Sequence, residues 1–332
     1  MKYVITGGSG YIGGRLIDLL CERGDSEVVI ADLRSPARQR PDVRFVQMDV
    51  RDPGVTALLE TERPDTLIHL AFVLNPIRNE HEMYDIDVNG TVNVLRAAEA
   101  AGTQHVMVAS STTAYGAWPD NPVPIPEDHP VRGMAAYAYA RDKTEIDRLT
   151  QLWTAQHPDR DVTIFRPCIV FGPNVNNYLI RFWQNAPFVP LVDGVDAEWQ
   201  LVHEDDLVEG IAGLAIERKA GIFNITGDGV VRFSEMAALL GLKTRRLPAG
   251  FYRRLTNIMW KLHLPRTEAP GGQVDFTRYP WVASNEKLKA ELGWQPRYST
   301  RETLEITLRA HGLLKNGATA PAETRTPAGV AS

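Results

Sequence analysis

The chain has 332 residues, of which 44% are hydrophobic and 23% charged, and its formal net charge is −5. This composition predicts a globular protein of one or two domains and argues against the basic surface of a nucleic-acid-binding protein. No apolar run reaches the roughly 18 residues of a membrane-spanning helix, and the only two cysteines, Cys21 and Cys168, fall in a predicted helix and a predicted strand. We therefore expect a cytoplasmic protein in a reducing compartment, with neither nucleic acid nor a membrane as its partner.

Strand-like and helix-like segments alternate through the first half of the chain. The predicted strands are 3–6, 28–31, 43–47, 66–70, 105–109 and 162–166, and the predicted helices are 11–23, 54–61, 83–101 and 137–156. This alternation predicts an α/β fold of the Rossmann type, a doubly wound parallel sheet with helices on both faces. Ligands of such sheets bind at the carboxyl ends of the strands, so the residues that follow each strand are the candidates for a site.

A glycine-rich turn joins the first predicted strand to the first helix. Gly8, Gly10 and Gly13 match the dinucleotide fingerprint, and Gly7 precedes them. The free N–H groups at such a helix start attract a pyrophosphate. Asp32 ends the second strand, 19 residues beyond Gly13, where an acidic side chain meets the ribose 2′-hydroxyl. The pattern therefore predicts NAD, in preference to NADP, as cofactor.

The ends of later strands supply the other expected cofactor contacts. Asp49 and Val50 are placed to contact the adenine ring, and the small apolar run at 70–72 allows the cofactor to pass close to the backbone. The full set of expected cofactor residues is Gly7, Gly10, Tyr11, Ile12, Gly13, Asp32, Leu33, Asp49, Val50, Leu70, Ala71, Phe72, Tyr139, Lys143, Pro167 and Ile169.

Tyr139 and Lys143 are four residues apart in a predicted helix, so both side chains share one face. An isolated tyrosine has a pKa near ~10, and a neighbouring ammonium favours the phenolate and lowers that pKa. Ser111 could orient a substrate hydroxyl whose proton Tyr139 removes while hydride leaves the same carbon. Tyr137 is not expected to act as the base, because the residue four positions after it is Arg141.

Taken together, these segments resemble the extended short-chain dehydrogenase/reductase family, in particular its NAD-dependent epimerase/dehydratase group, which includes UDP-glucose 4-epimerase-like enzymes. The matching segments are residues 6–13, 32, 49–50, 69–71, 90–91, 93–95, 111, 115–116, 139, 143, 166–167, 171–173, 201–207 and 292–296. The resemblance implies a Ser111–Tyr139–Lys143 catalytic group and a retained NAD. It also implies a homodimer, formed by helices 91–101 and 137–156 through small residues, namely Ala97, Ala98, Ala100, Ala101, Ala136 and Ala138.

Two positions depart from the family pattern. Asp87 stands where the family often has asparagine, and Trp199 stands where nucleotide-sugar epimerases carry an arginine that grips the diphosphate. Candidate substitutes for that arginine are Arg181, Arg278 and Lys261.

The second half of the chain is predicted to bind the substrate. We expect residues 1–173 and 200–226 to form the NAD-binding domain, residues 174–199 and 227–312 to form the substrate-binding region, and residues 316–332 to be a disordered tail. The expected substrate residues are Thr112, Thr113 and Asn177, although Asn177 could equally be a helix cap. His203 is interpreted as a structural histidine, and the apolar segment 255–264 as a helix that caps the active site or contacts a partner.

Three functions remain open at this point. The first is a nucleotide-sugar epimerase that works through transient oxidation to a keto intermediate. The second is a dehydrogenase or reductase of a non-nucleotide alcohol or ketone, which Trp199 and the apolar segment 251–264 favour. The third is a non-catalytic dinucleotide sensor, against which the Ser–Tyr–Lys set argues. A dehydratase is less favoured, because Thr112 and Thr113 stand where dehydratases carry Asp-Glu.

Overall fold

Seven parallel strands form the centre of the protein in a computed structural model that describes residues 1–24, 26–264, 267 and 269–315. The strands of the molecule are β1 Lys2–Thr6, β2 Glu27–Asp32, β3 Val43–Gln47, β4 Thr66–His69, β5 His105–Ala109, β6 Asp161–Pro167, β7 Ile169–Phe171, β8 Val189–Val192, β9 Glu198–Trp199, β10 Leu201–His203, β11 Gly221–Ile225, β12 Val231–Arg232 and β13 Thr244–Leu247. The central sheet has the order β11-β6-β5-β4-β1-β2-β3. The predicted doubly wound fold is therefore confirmed.

Helices cover both faces of this sheet. They are α1 Tyr11–Glu22, α2 Gly54–Glu62, α3 Glu80–Tyr84, α4 Gly90–Ala100, α5 Ala138–Gln156, α6 Tyr178–Asn185, α7 Glu204–Ile216, α8 Phe233–Leu240, α9 Ala249–Lys261, α10 Glu286–Leu292 and α11 Thr300–Ala310. Because side chains alternate along a strand, Ile5 packs with α1 and α7 on one face, and Val4 packs with α2, α4 and α5 on the other. Two apolar layers thus fix the sheet and hold its carboxyl edge in place.

The predicted helix 83–101 differs from the observed structure. It begins earlier, at Glu80, and contains a π-helical turn at Asp85–Asn89 between α3 and α4. Within this turn the Asp87 carboxylate accepts a 2.8 Å hydrogen bond from the Val73 backbone N–H. Such π turns often occur at functional sites. The turn sets Asp87 against the loop after β4.

The elements outside the central sheet that include α6, β8, β9, α8, β12, β13 and α9 form a second lobe, which is built from short strands and aromatic side chains. Three two-stranded sheets pair β7 with β10, β8 with β13 and β9 with β12. The predicted loop and helix at 174–197 contain α6 and β8, and the predicted helix 255–264 is α9, which begins six residues earlier than expected. The predicted tail 316–332 lies outside the described residues.

The remaining expectations about local structure have mixed outcomes. His203 is buried and caps α7 by accepting a hydrogen bond from the Asp205 backbone N–H, as expected of a structural histidine. Cys168 lies between β6 and β7 and is not in a strand. Within the part of the chain that the structure describes, no helix is long and apolar enough to cross a membrane.

Candidate active site

A cavity of about 660 Å³ lies between the carboxyl edge of the central sheet and the second lobe. One side of its wall is formed by the glycine turn after β1 and by the ends of β4, β5 and β6, and the other side by α6, α9 and the aromatic side chains of the second lobe. The predicted cofactor site and the predicted substrate site therefore lie in one continuous cavity.

The glycine turn is shaped by two close approaches. Gly7 has a φ of +72°, and a Cβ there would lie 2.6 Å from the backbone N of Ala71. A Cβ on Gly13 would lie 2.6 Å from the carbonyl oxygen of Gly7. Gly8, which the fingerprint included, is not part of the cavity wall, and its φ is not positive. Gly7 is therefore the tight-turn glycine, which corrects the position that the pattern assigned to Gly8.

The start of α1 fits a dinucleotide pyrophosphate. Its N-cap is Gly10, with no side-chain cap and no acidic residue in the first turn, so the first N–H groups face the cavity without a protein carboxylate. The Asp32 carboxylate accepts hydrogen bonds from the backbone N–H of Ser9 at 3.1 Å and of Arg34 at 3.2 Å, which holds it beside the turn. These residues are suited to bind the pyrophosphate and a ribose.

The expected cofactor and substrate residues divide between the wall and its surroundings. Those in the wall are Gly7, Gly10, Tyr11, Ile12, Gly13, Leu70, Phe72, Ser111, Thr113, Tyr139, Lys143, Pro167, Ile169 and Asn177. Asp32, Leu33, Asp49, Val50 and Ala71 lie outside it, and the Asp49 carboxylate pairs with Arg51. Thr112 also lies outside: its side chain is fully buried, so it does not reach the cavity as a substrate contact, contrary to the prediction.

Ser111 and Tyr139 meet at the floor of the cavity. The Ser111 hydroxyl accepts a hydrogen bond from the Thr113 backbone N–H at 3.2 Å and donates to the Pro167 carbonyl at 3.4 Å. It also hydrogen-bonds the Tyr139 phenol, which lowers the Tyr139 pKa. Burial has the larger effect, however, and raises that pKa above its ordinary value. Tyr139 is therefore a phenol at neutral pH.

Lys143 lies on the same face of α5 but does not lower the Tyr139 pKa in this structure, contrary to the prediction. Its ammonium donates a 2.8 Å hydrogen bond to the Ala109 carbonyl and lies 3.2 Å from the centre of the Phe72 ring. Its distance from the centre of the Tyr139 ring is 6.0 Å. Burial lowers the Lys143 pKa to about 7.

Asp87 lies beside this lysine and is one of the two departures from the family pattern. Its Oδ2 atom is buried and has no hydrogen-bond partner among the described residues. Burial raises the Asp87 pKa to about 7, and the charge of Lys143 opposes that rise. The π-helical turn thus places an acid where it acts electrostatically on the candidate catalytic lysine.

A buried network supports the floor of the site. The Arg166 guanidinium makes two hydrogen bonds, 2.7 and 2.8 Å long, to the Asp147 carboxylate, which also accepts one from Ser110 at 2.6 Å. Arg166 donates to the Tyr115 hydroxyl, which in turn donates to Asn224. The network connects β5, β6, β11 and α5 directly behind Ser111. Tyr115 and Arg166 belong to segments noted in the sequence, whereas Ser110, Asp147 and Asn224 were not singled out there. The contacts that join all five required the three-dimensional structure.

The substrate side of the cavity is aromatic and almost uncharged. Its wall includes Phe182, Trp183, Trp199, Phe233, Phe276 and Trp281. The Trp199 indole N–H donates a 3.2 Å hydrogen bond to the Phe276 carbonyl, and its ring packs against Trp183 and Phe233. Among the described residues, Lys143 is the only lysine, arginine, aspartate or glutamate in the wall.

The three candidate substitutes for the missing arginine do not reach this space. Arg278 pairs with Asp193 at 2.7 Å and with Asp275 at 3.5 Å, and Arg181 contacts Asn75. Lys261 is exposed at the end of α9. None of the three is part of the wall. Asn177 does line it, and its Oδ1 atom caps α6 by accepting a 3.0 Å hydrogen bond from the Ile180 N–H. The helix-cap expectation is therefore confirmed, and the substrate contact stays a prediction.

Comparison with known proteins places this Rossmann-type chain in a family. The profile of the NAD dependent epimerase/dehydratase family matches residues 3–226, and the chain belongs to that family. NAD is accordingly its cofactor. The chain is 27% identical over 318 residues to an uncharacterized protein of Mycobacterium tuberculosis, a match that covers 93% of this chain and 84% of the other. It is 26% identical over 352 residues to UDP-glucuronic acid decarboxylase 2 of Arabidopsis thaliana, covering 98% and 72% of the two chains.

Solved structures share the fold. The dTDP-glucose 4,6-dehydratase DesIV of Streptomyces venezuelae, solved with NAD and TYD bound, superposes with a TM-score of 0.72 at 23% identity, covering 94% of this chain and 97% of that one. The UDP-glucose 4-epimerase of Thermus thermophilus, in complex with NAD, gives a TM-score of 0.71 at 21% identity, covering 93% and 98%.

Proposed function

We propose that this protein is an NAD-dependent oxidoreductase that acts on an alcohol or ketone in an uncharged, largely apolar substrate. The observation that carries the proposal is the aromatic wall, in which Lys143 is the one charged side chain among the described residues. A nucleotide sugar would bring a charged diphosphate into this space, and a buried charge without a partner is strongly unfavourable. An apolar substrate gains free energy by burial against the same wall.

The division of the chain follows from the same reasoning. Residues 1–173 and 200–226 would hold NAD, and residues 174–199 and 227–312 would bind the substrate. The residues of the glycine turn, Asp32 and the ends of β4 and β6 would contact the cofactor, while Thr113 and Asn177 would contact the substrate.

Three side chains of this chain would perform the proton chemistry. NAD supplies the hydride acceptor or, when reduced, the hydride donor. Ser111 would fix the substrate oxygen, and Tyr139, a phenol at neutral pH because of its burial, would donate a proton to a carbonyl oxygen or, in reverse, remove one from a hydroxyl. Lys143 would contact the cofactor ribose and favour the phenolate whenever its charge comes closer to Tyr139. The raised Tyr139 pKa keeps the phenol protonated, so the proton that ketone reduction needs is present at neutral pH.

A nucleotide-sugar epimerase remains the second candidate. It is favoured by the similarity to UDP-glucuronic acid decarboxylase 2, which extends over 98% of this chain, and by a cavity of about 660 Å³.

The experiment combines cofactor exchange with a substrate screen. The protein is purified, any retained nucleotide is identified by mass spectrometry, and NADH oxidation is followed with a panel of apolar ketones and, separately, with UDP-sugars. Net NADH oxidation with an apolar ketone, lost in Tyr139→Phe, supports the proposal. Epimerisation of a UDP-sugar with NAD retained and no net turnover of added NAD would overturn it in favour of the second candidate.

A further inference from the structure

Helix α9 presents an unusual apolar surface to solvent. Of its thirteen residues only Ala249 is buried. Phe251, Ile258 and Leu262 are 57%, 48% and 64% exposed, and Leu255 is exposed with them. These residues recur every three or four positions, so they form one stripe along the helix and the residue that follows it. A helix whose apolar stripe faces outward needs an apolar environment there.

Positive charge lies along one side of this stripe, although the whole chain is acidic. Between residues 243 and 264 there is no aspartate or glutamate, whereas the basic residues are Lys243, Arg245, Arg246, Arg253, Arg254 and Lys261. Arg253 is paired with Asp275. Arg254 and Lys261 are seven residues, or about two helical turns, apart and therefore lie on the same side of the stripe. Both are exposed. The segment that precedes α9, β13, exposes Arg245 and Arg246.

The opposite flank of α9 faces the cavity. Tyr252, Leu255 and Met259 belong to the cavity wall, and Leu255 is shared between the wall and the exposed stripe. Going around the axis of this one helix, basic side chains come first, then the exposed apolar stripe, and then the side chains that form part of the cavity wall.

We propose that α9 and β13 form a docking surface for an anionic lipid bilayer, on which α9 lies in the interface with Phe251, Ile258 and Leu262 among the acyl chains. Basic side chains beside an apolar stripe are the arrangement of interfacial helices, in which the cations bind lipid phosphates while the apolar face is inserted. A second copy of this chain fits less well, because a twofold contact would bring the same unpaired positive charges together.

This proposal departs from the sequence expectation of no membrane partner, which rested on the lack of a long apolar run. Membrane docking does not rest on the proposed function. The two are connected in one way: a cavity that opens beside the bilayer would receive the apolar substrate of the proposed function directly from the membrane.

The test is flotation of the full chain with vesicles of phosphatidylcholine alone and of phosphatidylcholine mixed with phosphatidylglycerol. The wild type is expected to bind the anionic vesicles at least ~10-fold more tightly, and salt is expected to weaken that binding. The double variant Phe251→Ser/Leu262→Ser should lose ~10-fold or more of the affinity, and Arg254→Glu/Lys261→Glu should abolish the preference for anionic lipid.

The matched control is Ile216→Ser, at an exposed apolar residue that ends α7 and is not part of the cavity wall. It should bind vesicles like the wild type, and all variants should retain wild-type NAD affinity, which shows that they are folded. Two results would overturn the proposal: wild-type protein that fails to float with anionic vesicles, or a dimer in sedimentation that Phe251→Ser/Leu262→Ser dissociates. Because the assay contains no substrate, its outcome is independent of the proposed function.

Discussion

The substitution Tyr139→Phe removes one hydroxyl group from the floor of the cavity. Ser111 keeps its hydrogen bonds to Thr113 and Pro167, so the loss of stability is expected to be about 1 kcal/mol or less. The variant has no group left to exchange a proton with the substrate oxygen, and positioned proton transfer contributes ~10²–10⁴-fold to the rate. Turnover should fall by that factor, which corresponds to ~2.7–5.4 kcal/mol of activation free energy.

Lys143→Met should do more harm than Tyr139→Phe. It removes a buried cation that contacts Phe72 and the Ala109 carbonyl, together with the expected ribose contact. We therefore expect both slower turnover and weaker NAD binding, whereas Tyr139→Phe should leave NAD affinity unchanged. Single-turnover absorbance of NADH, NAD titration and thermal unfolding are measured for both variants.

Tyr137→Phe is the matched control, two residues away on the same helix end. Its hydroxyl lies 2.8 Å from that of Tyr178, so its loss leaves Tyr178 without this partner and lowers stability by ~1–3 kcal/mol. Its turnover should remain within a few-fold of the wild type. If Tyr137→Phe were inactive and Tyr139→Phe active, the assignment of the proton-transfer residue would be wrong.

Four further results are expected. NAD should bind more tightly than NADP, because Asp32 would repel a 2′-phosphate, and Asp32→Ser should narrow the difference in paired titrations; tighter NADP binding by the wild type would contradict this. Asp147→Ala leaves the buried Arg166 charge unpaired and should lower the free energy of unfolding by ~3–5 kcal/mol in urea, whereas a loss below ~1 kcal/mol would show that the network is dispensable. Burial lowers the pKa of His69 to about 3, below its ordinary value of 6.5, so the unfolded state binds the proton first. Stability should therefore fall as pH drops below 6.5 towards 3, by up to ~1.4 kcal/mol per pH unit, and His69→Gln should flatten that slope. Finally, sedimentation should give a homodimer through α4 and α5, and a monomer at micromolar concentration would refute it.

The dimer prediction needs one correction from the structure. Ala97 and Ala98, expected to permit close packing between subunits, are fully buried in the core of their own chain, and Ala138 is buried as well. Any contact between subunits would therefore involve the outer faces of α4 and α5, where Ala100 is exposed.

The central sheet could be predicted because its signals are local. Short apolar runs, glycines at a turn and helical spacing all lie within a few residues of one another, and β3 and β5 have the expected bounds. The glycine that makes the tight turn could not be chosen between Gly7 and Gly8 from the pattern alone. The choice depends on the approach of the Leu70–Ala71 backbone, which is distant in sequence.

The electrostatics of the candidate site could not be predicted, because they depend on burial and on distant contacts. Spacing placed Lys143 beside Tyr139 on α5, but the lysine contacts Ala109 and Phe72, and burial controls both pKa values. The π-helical turn that positions Asp87 likewise depends on a hydrogen bond to Val73. By contrast, Trp199 could be recognised from the sequence as a departure from the family pattern, which has an arginine at this position in nucleotide-sugar epimerases. In the structure, Trp199 is part of an aromatic wall.

The most direct test of the account is a binding titration of the NAD-loaded protein, followed by tryptophan fluorescence, since Trp183, Trp199 and Trp281 line the cavity. UDP and an apolar ketone that is turned over are titrated separately into the wild type. The account predicts saturable quenching by the ketone and no saturable response to UDP at millimolar concentration. Saturable binding of UDP at micromolar concentration, with the ketone inert, would contradict it.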